Sequence, residues 1–146
     1  MSHLSRTEQL ECYAFWWSEI RLIIAGVALM LGGIPPLFLV LPGMYALTMP
    51  LLKLCWIISG VVALYLGYRW YEKKMVIFGG KDNWDSVAFA IAIVTGLNLG
   101  ITGLFGTNIG MSIIGGRIVF LIVGLLYLVV AYYLNSRWRK RGKLVF

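Results

Sequence analysis

The sequence predicts an all-α integral membrane protein with four transmembrane helices. The helices should form two tandem hairpins, a direct repeat that leaves both termini in the cytoplasm. Three observations support this fold: the apolar composition, a repeat at a fixed offset and the placement of basic residues. Sixty per cent of the 146 residues are hydrophobic and 13% are charged, too apolar a balance for an ordinary soluble domain. A bilayer core requires about 20 mostly apolar residues per helix, and four segments qualify, at about 18–41, 51–71, 86–106 and 113–134.

The repeat is clearest near the ends of the second and fourth helices. Val61–Trp70 returns 68 residues later as Val129–Trp138, with seven of the ten positions identical, and the same offset superposes Trp16 on Trp84. Each copy holds two helices, an even number, so both copies should insert in the same orientation about a pseudo-twofold axis along the membrane normal. The predicted segments are an N-terminal segment 1–17, a first hairpin 18–71, a basic loop 72–85, a second hairpin 86–138 and a basic tail 139–146.

The net charge of +7 is concentrated in two places. Basic residues cluster between the second and third helices and after the fourth, whereas the two other loops hold only Lys53 and Arg117. This asymmetry follows the positive-inside rule and predicts a cytoplasmic central loop and cytoplasmic termini. We expect the basic clusters to contact anionic lipid headgroups at that face, and we expect no nucleic-acid partner.

The segment before the first helix allows two interpretations. Ser5 and Glu8 have the spacing of a capping box, and the aromatic residues that follow favour a short helix at the headgroup level; a disordered tail is the alternative. The first span should begin around Glu19. The run Gly32–Pro36 should kink or break it, because proline removes a backbone donor and clashes with the preceding turn. A structural kink is the favoured interpretation, and a broken helix that builds a transport site is the alternative.

Two ridges of small residues are expected on the second and third helices. The second helix should follow a turn at Thr48–Pro50. Small residues at four-residue spacing let helix backbones approach closely in a membrane, either within one chain or between two copies. The ridges consist of Ser59, Ala63 and Gly67 on the second helix and Ala88, Ala92, Gly96 and Gly100 on the third.

Another face of the third helix carries Thr95, Asn98 and Thr102. Asn98 is the one strongly polar side chain expected deep in the membrane. It could line a pore or a substrate path, or it could form an interhelical hydrogen bond, which we favour. Its counterpart in the first repeat is Met30, so its role should differ between the two halves.

Aromatic and basic side chains near the cytoplasmic face are expected to act as interface anchors. These are Trp16, Trp17, Arg69, Trp70, Trp84, Arg137 and Trp138. The two cysteines, Cys12 and Cys55, should lie at opposite membrane faces and remain free thiols.

Part of the second half resembles a known family. Gly96–Phe105, with the sequence GLNLGITGLF, and Gly116–Leu125, with GRIVFLIVGL, are similar to a family of very small bacterial two-helix membrane proteins of unknown function. The chain departs from the family pattern at Leu99, where the family usually has tryptophan, and at Phe120, where it has tyrosine. The resemblance covers about residues 90–130. It implies a helical hairpin and a bacterial inner (plasma) membrane, and it implies no activity.

No pattern of catalytic or metal-ligating residues stands out. His3 is the only histidine, so a histidine-held metal or haem is not expected, and no cofactor is predicted. Asp82 and Asp85 should lie in a solvated turn at the start of the third helix. Glu19 is the best candidate for proton coupling, because carboxylates inside membranes are often functional, although its position favours the interface.

The sequence therefore predicts a non-enzymatic membrane protein, a structural or assembly subunit that self-associates through the small-residue ridges or joins a membrane complex. The alternative is a small oligomeric channel or transporter. Its path would lie at the helix breaks Gly32–Pro36 and Gly100–Gly106, near Asn98 and its polar neighbours.

Overall fold

The structure, a computed structural model, describes residues 5–113 and 115–146 and is helical almost throughout this part. Four of its helices are long and apolar enough to cross a membrane, which confirms the predicted all-α membrane fold at that level. His3 lies outside the described residues. The helices are α1 (Arg6–Met30), α2 (Pro36–Val40), α3 (Tyr45–Glu72), α4 (Asn83–Phe105), α5 (Ile109–Ile113) and α6 (Arg117–Lys140).

From Ser5 onward, the N-terminal segment is neither a separate interfacial helix nor a tail, and for these described residues that prediction is wrong. The Oγ of Ser5 accepts a hydrogen bond from the Glu8 amide, and the Glu8 carboxylate accepts one from the Ser5 amide, so the capping box is formed. Because no proline or glycine interrupts the chain before Gly26, α1 continues from Arg6 to Met30. The first span thus begins at the capping box.

The other helix boundaries also shift from their predicted positions. The expected turn at Thr48–Pro50 is wrong, because α3 begins at Tyr45 and includes Pro50. A proline in the second turn costs one backbone hydrogen bond, which a long helix tolerates. The last helix, α6, ends at Lys140 rather than near residue 134.

Both connections at one end of the bundle contain a break and a short helix. Gly32 and Gly33 have φ angles of +80° and +87°, which glycine adopts readily because it lacks a Cβ, and Pro36 then opens α2 as its first residue. In the second half the helix continues through Gly100, so the predicted break at Gly100–Gly106 is confined to its last residue. Gly106 has a φ of +73° and ends α4.

The two largest helix contacts are between α3 and α4 and between α1 and α6. The two small-residue ridges pack against each other within the chain. A Cβ built on Gly60 would lie 2.7 Å from the Cα of Gly100, and one built on Gly96 would lie 2.7 Å from the Cβ of Ala63. A second close approach, which the sequence reasoning missed, joins the Gly26 and Gly124 backbones of α1 and α6.

The ridge residues therefore pack against other residues of the same chain. Ser59, Ala88 and Ala92 are buried, and a Cβ on Gly67 would be in ordinary contact with Ile93 at 3.7 Å. Since these surfaces already bury each other, they leave little of either ridge for a second copy.

We call the end that carries the start of α1 the basic end, and the end that carries α2 and α5 the loop end. An aromatic core fills the basic end, where the ring centroid of Phe15 lies 5.5 Å from that of Trp138 and 5.7 Å from that of Phe78. The tail packs back onto this core, because the Phe78 amide donates to the Val145 carbonyl at 2.8 Å. The predicted tail 139–146 is thus partly buried.

Candidate functional site

A cavity of about 530 Å³ occupies the loop-end half of the bundle, and all six helices contribute to its wall. Its deepest lining residues are Trp17, Ser59, Thr95 and Tyr127, each about midway along its helix. The cavity therefore extends from the loop end to about the middle of the bundle.

Arg21 is the most polar group of the cavity wall, and only 7% of it is exposed. Its Nη1 donates to the Oγ1 of Thr95 at 3.0 Å, and its Nη2 donates to the Oγ of Ser18 at 3.0 Å and to the carbonyl of Ala92 at 2.6 Å. Its Nε has no partner in the described part of the chain. A cation is thus held between α1 and α4 by neutral groups alone.

Sequence reasoning missed Arg21, although the signal for it was available. The capping box at Ser5 fixes the start of α1, so Arg21 lies about 22 Å along the helix at 1.5 Å per residue. A cation at that depth is well inside a span, not at its end. Because residues 1–17 were predicted to lie at the interface, Arg21 was expected near the start of the first span.

Glu19 is also buried, with 4% exposed, and lies about midway along α1. Neither carboxylate oxygen has a hydrogen-bond partner among the described residues. Residues two apart on a helix do not face each other, and no ion pair joins Glu19 to Arg21 in that part of the chain. Glu19 is absent from the cavity wall and lies on another side of α1.

Asn98 lines the cavity and fixes the short helix α5. Its Nδ2 donates to the Oδ1 of Asn108 at 2.9 Å, and its Oδ1 accepts from the Gly110 amide at 3.1 Å. The favoured prediction placed this bond between long helices; the partner is instead the α4–α6 connection. Thr102 donates to the Asn98 carbonyl of its own helix and does not line the cavity.

We expect Asn98→Ala to loosen α5 without unfolding the bundle. Losing two partly buried hydrogen bonds should cost about 1–2 kcal/mol, which corresponds to roughly tenfold faster exchange of the Gly110 amide. Hydrogen–deuterium exchange measures this change. Thr102→Val is the matched control, because the Thr102 hydroxyl bonds only to its own helix. Equal exchange in Asn98→Ala and the parent protein would contradict this role.

The two predicted helix breaks do not contribute equally to the cavity wall. Of the first break, Gly33, Pro35 and Pro36 line the cavity. Gly100–Gly106 does not, and the second half contributes Asn108 and the start of α5 instead. The structure thus joins Thr95, Asn98 and the first break in one site and leaves Glu19 and Thr102 outside its wall.

Most predicted interface anchors are engaged inside the protein. Trp17 donates from its Nε1 to the Oγ of Ser59 at 3.1 Å in the cavity wall, and its contact with headgroups stays a prediction. Trp70 and Trp138 pack on the aromatic core. Trp16 and Trp84 are exposed, and their contact with headgroups stays a prediction.

Arg137 forms an ion pair at the basic end and does not extend freely to headgroups. Its Nε and Nη2 donate to the two carboxylate oxygens of Asp85 at 2.7 and 2.6 Å, and Tyr133 donates to the same carboxylate at 2.8 Å. Asp85 has 1% of its side chain exposed, so the predicted solvated turn is wrong for it. Asp82 does cap α4, accepting from the Trp84 amide.

Arg69, which the predicted repeat aligns with Arg137, makes an equivalent contact with α1. Its Nη2 lies 2.5 Å from the Oε1 of Glu11, and its Nη1 pairs with Glu72. Each arginine therefore binds a carboxylate on the long helix that precedes its own in the chain, α1 for Arg69 and α4 for Arg137. This contact, and not headgroup anchoring alone, accounts for both arginines.

Cys12 and Cys55 are free thiols, as predicted. Cys55 lines the cavity, whereas Cys12 is buried at the basic end and donates to the Lys143 carbonyl. No group of three histidine, cysteine or acidic side chains that could hold a metal ion occurs among residues 5–113 and 115–146.

Comparison of the chain with protein-family models, curated proteins and solved structures finds no match. The cavity, the buried charges and the helix breaks are therefore the observations on which its function is argued.

Proposed function

We propose that this chain is a small multi-pass membrane protein that binds an amphipathic solute in the loop-end cavity, as carriers do. The observation that supports this most directly is the cavity itself. It ends halfway through the bundle at Arg21 and Thr95 and extends past Asn98 to the helix break at Gly33–Pro36. Solute sites near the bilayer midplane at interrupted helices are typical of secondary transporters.

The self-associating assembly subunit receives less support. That prediction depended on small-residue ridges, and Gly60, Ala63, Gly96 and Gly100 pack against each other within one chain. A homo-oligomer would have to use other surfaces. The cavity gives the solute-binding function a defined site, so we prefer it.

The proposed topology has two direct repeats with both termini in the cytoplasm. Each half runs long helix, short helix, long helix, and in each half the repeated arginine pairs with the first long helix. The two largest helix contacts, α3 with α4 and α1 with α6, would be exchanged by a twofold axis. Arg69 and Arg137 lie at the same end, which the positive-inside rule places in the cytoplasm. The bacterial inner membrane is proposed from the resemblance in the second half.

A cavity-filling variant tests the proposed function. Ala28 lines the cavity, whereas the neighbouring Val27 does not and is 37% exposed on the outer surface. We expect Ala28→Phe to abolish saturable binding of decanol and of decanoate to the full chain in phosphatidylcholine nanodiscs. Titration calorimetry measures the binding, with empty nanodiscs subtracted.

Val27→Phe is the matched control and should bind both amphiphiles as the parent protein does. In the parent protein, bound amphiphile should also protect Cys55 from N-ethylmaleimide, since that thiol lines the cavity. The proposal fails if neither amphiphile binds saturably, or if Ala28→Phe and Val27→Phe bind them equally.

A further inference from the structure

We propose that the solute carries a single anionic headgroup, which Arg21 binds, and an apolar tail, which the rest of the cavity encloses. This inference deepens the proposed solute-binding function and rests on it. A fatty-acid carboxylate is the simplest ligand of this class.

The hydrogen bonds of Arg21 are the first argument. A guanidinium has five N–H donors. Three are used, toward the hydroxyls of Thr95 and Ser18 and the carbonyl of Ala92. The Nε–H has no acceptor within the described residues, and one N–H of Nη1 is also available there. The guanidinium therefore keeps two N–H groups without a protein acceptor, and because the Nε is fully buried, a ligand at the cavity floor reaches that atom only when the Arg21 side chain shifts.

The charge of Arg21 is the second argument. All three of its acceptors are neutral, and no carboxylate pairs with it in the described part of the chain. Burying an ion without a partner is costly, and removing one partner of a buried pair is among the most destabilising changes. An anionic headgroup would supply the missing partner, because a carboxylate accepts charge-assisted hydrogen bonds from a guanidinium.

The shape of the cavity is the third argument. Its wall follows α1 from Arg21 to Leu29, a distance of about 12 Å at 1.5 Å per residue, and continues at the break through Gly33. Between these ends most of the wall is apolar and includes Ile24, Leu29 and Val123, while Asn98 and Asn108 are polar residues of its loop-end part. A polar floor with a long apolar wall fits an amphiphile whose headgroup lies at Arg21 and whose tail extends toward the break. A compact inorganic anion would leave this wall without contacts.

Glu19 is the internal group that could neutralise Arg21 without a ligand. It lies off the cavity wall and makes no direct contact with Arg21 in the described structure, so any compensation would act only through space. The experiment therefore includes a Glu19 variant.

The test compares decanoate with decanol, which share an alkyl tail and differ in headgroup charge, on the full chain in phosphatidylcholine nanodiscs. The pH is one at which free decanoate is ionised. We expect the parent protein to bind decanoate about tenfold to a hundredfold more tightly than decanol, the ratio that a hydrogen bond to a charged group gives. Arg21→Met should remove this preference and keep the binding of decanol, and Arg21→Lys should restore part of it.

Three results would overturn the inference. The first is that the parent protein binds both amphiphiles equally, and the second is that Arg21→Met retains the preference for decanoate. The third is that only Glu19→Gln binds decanoate preferentially, which would make Glu19 the native partner of Arg21. If Arg21→Met does not fold, the parent protein's ratio and the Glu19→Gln variant decide the question. Equal binding of both amphiphiles that Ala28→Phe abolishes would reject the anion and preserve the solute-binding function.

Discussion

Gly60→Ala should destabilise the bundle by about 1–3 kcal/mol or more, the usual cost of overpacking a well-packed site. The added Cβ would lie 2.7 Å from the Cα of Gly100 and 3.5 Å from its amide nitrogen. These are backbone atoms of the facing helix, so no side-chain rotation can relieve the contact and α3 must separate from α4. Unfolding in mixed micelles with increasing dodecyl sulfate, followed by tryptophan fluorescence, measures the change.

Gly67→Ala is the matched control on the same helix. Its Cβ would meet Ile93 at 3.7 Å, an ordinary contact, and alanine favours a helix over glycine by roughly 0.5–1 kcal/mol. We expect this variant to be as stable as the parent protein or slightly more stable. If both variants unfold at the same denaturant concentration, the close approach of α3 and α4 is wrong.

Asp85→Asn should cost about 3 kcal/mol, the lower end of the range for breaking a buried ion pair. The carboxylate is the acceptor for both Arg137 and Tyr133, and 1% of its side chain is exposed. An amide has one oxygen in place of two and no charge, so Arg137 loses its main partner. The cost stays at the lower end because Arg137 keeps Asp82 at 3.2 Å and 24% of its side chain is exposed. The same micelle titration measures this difference.

Two further variants separate the contributions of the Tyr133 hydrogen bond and of the Asp82 ion pair to stability. Tyr133→Phe removes one hydrogen bond and should cost about 1 kcal/mol. Asp82→Asn removes a partner whose side chain is 42% exposed, and surface ion pairs contribute about 0–1 kcal/mol. An Asp85→Asn protein no less stable than Asp82→Asn would show that the buried pair does not hold α4 to α6.

Composition and spacing predicted the features that depend on neighbouring residues. The four apolar runs gave the long helices, the Pro35–Pro36 pair gave the first break, and the four-residue spacing around Gly96 gave a packing ridge. Each signal is local, because helix length, proline geometry and small-residue spacing act within one segment of the chain.

The site depends on contacts between residues that are far apart in the chain, and the sequence analysis did not predict these contacts. In the cavity, Arg21 and Thr95 are 74 residues apart, and at the basic end Arg137 and Asp85 are 52 apart. The position of a charged residue along one helix does not identify the neighbouring helix that packs against it. The position of Arg21 along α1 could have been predicted from the capping box. The aromatic residues before Arg21 instead favoured a separate interfacial segment, whereas the structure has one continuous helix.

The contact between α1 and α6 has a consequence for biosynthesis. A ribosome releases the first helix long before the last one, so α3 and α4 can associate while α1 still lacks its main neighbour. Helices of membrane proteins insert before they pack, and the final insertion event brings Gly124 against Gly26. Because α6 also supplies part of the cavity wall, a nascent or truncated chain without it has no complete cavity. The cavity is therefore complete only once α6 has been inserted.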